Sequence, residues 1–124
     1  MKQVIATTAA PGAIGPYSQA IDTGTFVYAS GQIPINPATG EIPQGITAQT
    51  EQSLANVKAI MEAAGLTMAN VVKTTVFLAD MADFGAMNEV YARAFEAPYP
   101  ARSAVAVREL PKGVMVEIEV LAMR

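Results

Sequence analysis

The 124-residue chain contains no cysteine and no histidine. Without cysteine there is no disulfide, no thiolate nucleophile and no Cys-based metal site. Without histidine the usual zinc ligand is gone, and so is the general base of most hydrolytic triads. Charge is scarce as well, at 15 % of residues against 52 % hydrophobic. Eight Lys and Arg face eleven Asp and Glu, for a formal charge of −3 and no basic run. That balance lacks the positive footprint of a nucleic-acid binder. No apolar run approaches the roughly 18 residues of a membrane helix, and no membrane partner is expected. Met1 to Thr7 lack the unbroken apolar core of a signal peptide, so a cytoplasmic location is expected. Chemistry is left to Arg, Glu, Asp, Tyr, Ser, Thr, Lys, backbone groups and water.

The length suits one domain over residues 1–124. Its apolar fraction is high for a chain with one core, which subunit interfaces would explain. Gln3 to Ala6 reads as a short strand, and Ala10 to Tyr17, with two prolines and two glycines, as a loop. Phe26 to Ser30 is a strand expected to stop at Gly31. Pro34 to Pro43 is a turn-rich connection with a small hairpin at Thr39-Gly40. Thr47 to Ala64 is the clearest helix: Leu54, Val57, Met61 and Ala64 form one stripe, with Thr47 as N-cap and Gly65 as stop. Val71 to Leu78 is a β-branched strand. A second helix over about Asp83 to Phe95 turns Phe84, Met87, Tyr91 and Phe95 inward and pairs Glu89 with Arg93 outside. Ser103–Arg108 and Val114–Met123 are expected as a closing hairpin. The order predicts an α+β fold, a single mixed sheet with two helices on one face. The other face carries apolar residues too, among them Met115, Leu121 and Met123, and is expected to meet identical subunits.

Charges stand out in the last quarter. Arg102 opens an Ala/Val strand, and Glu117 and Glu119 interrupt a β-branched one, about 7 Å apart on one face. An unpaired buried charge costs several kcal/mol, so each needs a partner or a ligand. Arg102 suits a bidentate substrate carboxylate or phosphate; equally it suits an ion pair with Glu117 or Glu119. The carboxylates suit work on water, or a solvated edge that discourages aggregation. Whether Arg102 shares a face with Glu117 depends on the hairpin register: pairing Arg108 with Val114 separates them, a bulge unites them. Tyr17 and Ser18, and Ser30-Gly31-Gln32, are polar groups at loop and strand ends, where Gly31 allows close approach of a ligand. Asn88 borders the inward stripe of the second helix, as a satisfied amide or a ligand contact.

Six collinear segments tie these residues together: Gly15-Pro16-Tyr17-Ser18-Gln19-Ala20, Ser30-Gly31-Gln32-Ile33-Pro34, Leu54-Ala55-Asn56-Val57-Lys58, Val72-Lys73-Thr74-Thr75-Val76-Phe77, Pro100-Ala101-Arg102-Ser103 and Val116-Glu117-Ile118-Glu119. Over nearly the whole chain they closely resemble the Rid (YjgF) family, and best its RidA subgroup. The resemblance implies a chorismate-mutase-like homotrimer with three inter-subunit clefts. It implies hydrolysis of 2-imino acids or their enamines, such as 2-iminobutanoate and 2-iminopropanoate, to 2-oxo acids and ammonia, without metal or cofactor. By position Arg102 binds the substrate carboxylate, Glu117 positions or activates water, and Tyr17, Ser30, Gly31 and Asn88 line the cleft. Ala104 stands there too, where many relatives carry Cys, so thiol chemistry is absent. The stretch Ala94 to Tyr99 is shorter than in some relatives. Rival expectations are a non-enzymatic trimer that binds small carboxylates or acts as a holdase, and, less favoured, a ribonuclease.

Overall fold

Val116, Ile118, Val120 and Ala122 are all buried, while Glu117, Glu119, Leu121 and Met123 between them point the other way. That strict alternation makes the last strand a sheet centre, because it can face helices on one side along its whole length. The computed structural model describes all of Met1–Arg124. Its elements are β1 (Gln3–Ile5), β2 (Ala20–Asp22), β3 (Phe26–Gln32), α1 (Ile46–Ala63), β4 (Val71–Leu78), α2 (Phe84–Ala94), β5 (Ala101–Ala106) and β6 (Val116–Met123). They form one six-stranded mixed sheet in the order β1-β2-β3-β6-β4-β5, with both helices packed on one face.

The expected closing hairpin does not form. β5 runs parallel to β4, from Lys73 opposite Ala101 to Leu78 opposite Ala106, and β6 lies antiparallel between β3 and β4. Helix α2 supplies the crossover that a parallel pair requires. The central place goes to the strand with the full buried row, and the edge to the Ala-rich β5, which buries little of itself.

Other boundaries moved less. β2 is an addition to the expected strands. β3 runs on through Gly31 to Gln32, with a register irregularity: Ala29 faces Val120 and Gln32 faces Ile118. Three steps against two make a bulge at Ser30-Gly31. Residues 36–41 close a turn and not a hairpin of strands. α1 is capped by Gly45, with no side-chain cap, in place of Thr47. Its stop is as expected: Gly65 has φ 77°, open to a residue without Cβ, and Leu66 N–H then returns to the Met61 carbonyl at 2.8 Å. Glu89 and Arg93 make no ion pair. The single salt bridge in the chain is Asp22 to Arg124 at 2.7 Å.

One side of α1 is polar by design of the loop it holds. Ser53 donates to the Gln32 carbonyl at 2.7 Å, and Asn56 donates to the carbonyls of Ile33 at 3.2 Å and Ile35 at 3.0 Å. The Asn56 carbonyl oxygen accepts from Gln52 at 2.9 Å, so this fully buried amide is satisfied. Asn56→Ala strands two partly buried carbonyls and is expected to cost about 1–3 kcal/mol in denaturant unfolding.

Candidate functional site

Arg102 lies opposite Thr74, on the helix-covered face at the sheet edge. Thr74 is fully buried, and its hydroxyl shares a 2.7 Å hydrogen bond with that of Tyr91. The Tyr91 ring thus held sits 4.7 Å from the guanidinium carbon, and the Phe84 ring 5.4 Å from it. Asn88 accepts a 2.6 Å hydrogen bond from Nη1. Phe84, Asn88 and Tyr91 fall at i, i+4 and i+7 of α2, a single helix face aimed at one cation. Burial pushes the Tyr91 phenol up, against the opposing effects of the Thr74 hydrogen bond and of Arg102. Ala104, two residues along the same face, is half-buried and packs on the core.

Glu117 lies on the opposite face. Its pairing partner is Phe77, three residues from the Thr74 that faces Arg102. An odd separation along a strand reverses the face. The ion pair with Glu117 or Glu119, one of the two roles open to Arg102, is therefore absent, and Arg102 has no carboxylate partner within the chain. The Glu117 carboxyl is half-buried and rests against Gly31 at the β3 bulge. Burial, and then the neighbouring Glu119, push its pKa above the ordinary carboxylate value. Glu119 is exposed and makes no ion pair, as a carboxylate on a solvated face would be.

Around the bulge the polar groups are fixed to backbone. Ser30 donates to the Ser18 carbonyl at 2.6 Å, and Ser30 N–H to that of Gln19 at 2.9 Å. The buried Gln19 amide binds both backbone groups of Thr7 and the carbonyls of Ala10 and Pro11, pinning the loop that ends in Tyr17. Tyr17 itself is exposed, and its hydroxyl accepts from Ile14 N–H at 3.4 Å.

The predicted residues thus gather into two half-sites: Arg102, Asn88 and Ala104 on one face, and Glu117, Gly31, Ser30 and the Tyr17 loop at the β3–β6 side. The helical stripe in the sequence puts Phe84 and Tyr91 in the core. Their spacing about Asn88 was the available sign that they also serve a cation. A cleft of about 770 Å³ lined by Leu54, Lys58, Val90, Arg93 and Pro98 among others contains no predicted site residue.

Comparison with known proteins gives one family for the whole chain. The family model described as Endoribonuclease L-PSP matches residues 7–124. A RutC family protein of Haemophilus influenzae is 58 % identical over 128 residues, covering 100 % of this chain and 98 % of that protein. The 2-iminobutanoate/2-iminopropanoate deaminase of Escherichia coli K12 is 54 % identical over 127 residues, covering 100 % and 99 %. The crystal structure of E. coli TdcF with bound serine superposes with a TM-score of 0.96 at 52 % identity, covering 98 % of each chain. The chain belongs to the Rid (YjgF) family, the one whose sequence model carries the endoribonuclease L-PSP description.

Proposed function

We propose that the protein is a deaminase of small 2-imino acids and their enamine tautomers, 2-iminobutanoate and 2-iminopropanoate among them, yielding 2-oxo acids and ammonia. The observation that carries this reading is the Arg102 cradle: a half-buried guanidinium, stacked on two rings and fixed by Asn88, with no carboxylate of its own chain. A planar fork held this way fits the carboxylate common to imino acids. The names of relatives above half identity support the same chemistry.

The mechanism asks little of the protein. Glu117 takes a proton from water as the water oxygen adds to C2 of the protonated imine, giving a neutral carbinolamine. Returning that proton to nitrogen makes ammonia the leaving group, and as the C–N bond breaks the carbinol O–H proton passes back to Glu117, leaving the 2-oxo acid. A carboxyl raised above its usual range is suited to both taking and giving back the proton. Tyr17, Ser30, Gly31 and Asn88 line the cleft, with Ala104 at the substrate side. No metal or organic cofactor enters any step. The cytoplasm is the proposed setting.

Because Arg102 and Glu117 are on opposite faces of one sheet, a working site needs two copies of the chain. We assign it to clefts between subunits of a chorismate-mutase-like homotrimer, built on the sheet face that no helix covers. Light scattering should give about three times the 13.0 kDa subunit mass; a stable monomer at micromolar concentration removes both trimer and shared site. Mixing offers a sharper check. Arg102→Ala and Glu117→Gln subunits, each inactive alone, should regain activity when denatured and refolded together, since some clefts then unite an intact Arg102 with an intact Glu117. No recovery in co-refolded mixtures places the two residues in one subunit's site.

Ammonia release from imine generated in place by a dehydratase tests the activity. Its absence, with carboxylate binding retained, favours the non-enzymatic binder or holdase. The ribonuclease reading has less behind it, given the acidic balance and missing histidine.

A further inference from the structure

We infer that Gly31 is a positioning residue for Glu117: the missing side chain at the β3 bulge is the seat of the carboxylate. The inference rests on the reading that Glu117 handles water. A Cβ on Gly31 would overlap Oε2 of Glu117 and lie 2.8 Å from its Cδ and 3.1 Å from its Cγ. The end of the side chain therefore occupies the space that any other residue would fill. Backbone conformation does not explain the glycine, since Gly31 is not among the residues of positive φ. No hydrogen bond or ion pair within the chain holds the Glu117 carboxylate, so packing against Gly31 is what fixes it.

The bulge itself is not free to retreat. Ser30 is bonded on both its N–H and its hydroxyl to the segment of Ser18 and Gln19, and the Gln32 carbonyl accepts from Ser53 on α1. A methyl group added at 31 meets an immobile strand on one side and a flexible side chain on the other. The carboxylate is what moves. The other ionisable groups on this sheet face are Glu119 on β6, Lys73 on β4 and Tyr28 on β3, by register. Lys73 is engaged with Ser103 at 3.0 Å.

Gly31→Ala is expected to lower kcat by about 10²-fold, the scale of an ångström-sized misplacement, with KM changed far less. The shorter Glu117→Asp withdraws the carboxylate from the bulge. In that background the added Gly31→Ala should cost less than about threefold, a strong departure from additivity. A readout that needs no turnover is the carbon-13 titration of the Glu117 carboxyl. Its midpoint should fall toward the ordinary carboxylate value in Gly31→Ala as the group is pushed into water. If wild type shows no turnover, the deaminase reading fails while this titration still decides the placement. Should Gly31→Ala lower Tm, Glu117→Ala in the same chain must restore it. Wild-type kcat in Gly31→Ala, an equal loss in both backgrounds, an unmoved titration, or a Tm that Glu117→Ala leaves low would each overturn the inference.

Discussion

Arg102→Lys is expected to lose about 10²-fold in kcat/KM while the assembly keeps its mass. Lysine keeps the charge but gives up the planar fork and its stacking. One charge-assisted hydrogen bond to the substrate carboxylate is worth about 1.5–3 kcal/mol, roughly ten- to 150-fold. The cradle adds to this. Tyr91 and Phe84 present ring faces, and Asn88 presents an acceptor to Nη1, all arranged for a flat cation. Arg102→Ala should lose more, chiefly through KM if the carboxylate is bound equally in ground and transition states. Steady-state kinetics with light scattering check both. Wild-type kcat/KM in the lysine variant would take Arg102 out of carboxylate binding.

Glu117→Gln is expected to lower kcat by about 10²–10⁴-fold, the usual worth of a general base. Its effect on stability has the opposite sign to a damaged fold. The folded-state pKa of Glu117 is raised, so the native state favours the protonated form. That contribution is fully present below the unfolded pKa and is lost as pH rises through the folded one. At neutral pH the ionised carboxylate thus weighs against the fold. Glu117→Gln should therefore raise Tm at pH 7 and leave it unchanged in acid below the ordinary carboxylate range. Glu119→Gln should behave differently. With no cation paired to Glu119, its loss should change stability by less than about 0.5 kcal/mol. It should keep turnover and shift the acid limb of the kcat profile to lower pH, since Glu119 is the second cause of the Glu117 shift. Melting and pH–rate curves of the two variants decide this; abolished turnover in Glu119→Gln alone reverses the roles.

Periodicity was enough for α1, α2 and β4, because each carries a stripe or a β-branched run long enough to declare itself. The two-layer arrangement followed from their order. The strand pairing did not, since the residues joining β5 to β6 look like a hairpin and nothing local says that a parallel partner waits at β4. The error mattered for the site: it framed Arg102 and Glu117 as neighbours on adjacent strands, when β4 lies between theirs. Arg102 and Glu117 themselves were legible as charges within apolar runs. The sequence places Tyr91 and Phe84 in the core, as their burial permits, but their stacking on Arg102 shows only in the folded chain. The sequence offers Gly31 as a place of close approach, but only the structure shows that the Glu117 carboxylate rests on it.

The central position of β6 has a consequence for how the chain acquires its shape. β3 and β4 never pair with each other; they meet through residues 116–123. Until that segment arrives, the earlier strands form two fragments with open edges, and the α1 stripe has no continuous floor. Pairings this distant in sequence make for a high contact order and slow folding. A chain still on the ribosome, or cut within β6, would hold exposed edges and apolar surface together. Folding should then be all-or-none in its final strand, with chaperone dependence concentrated in the interval before that strand is in place.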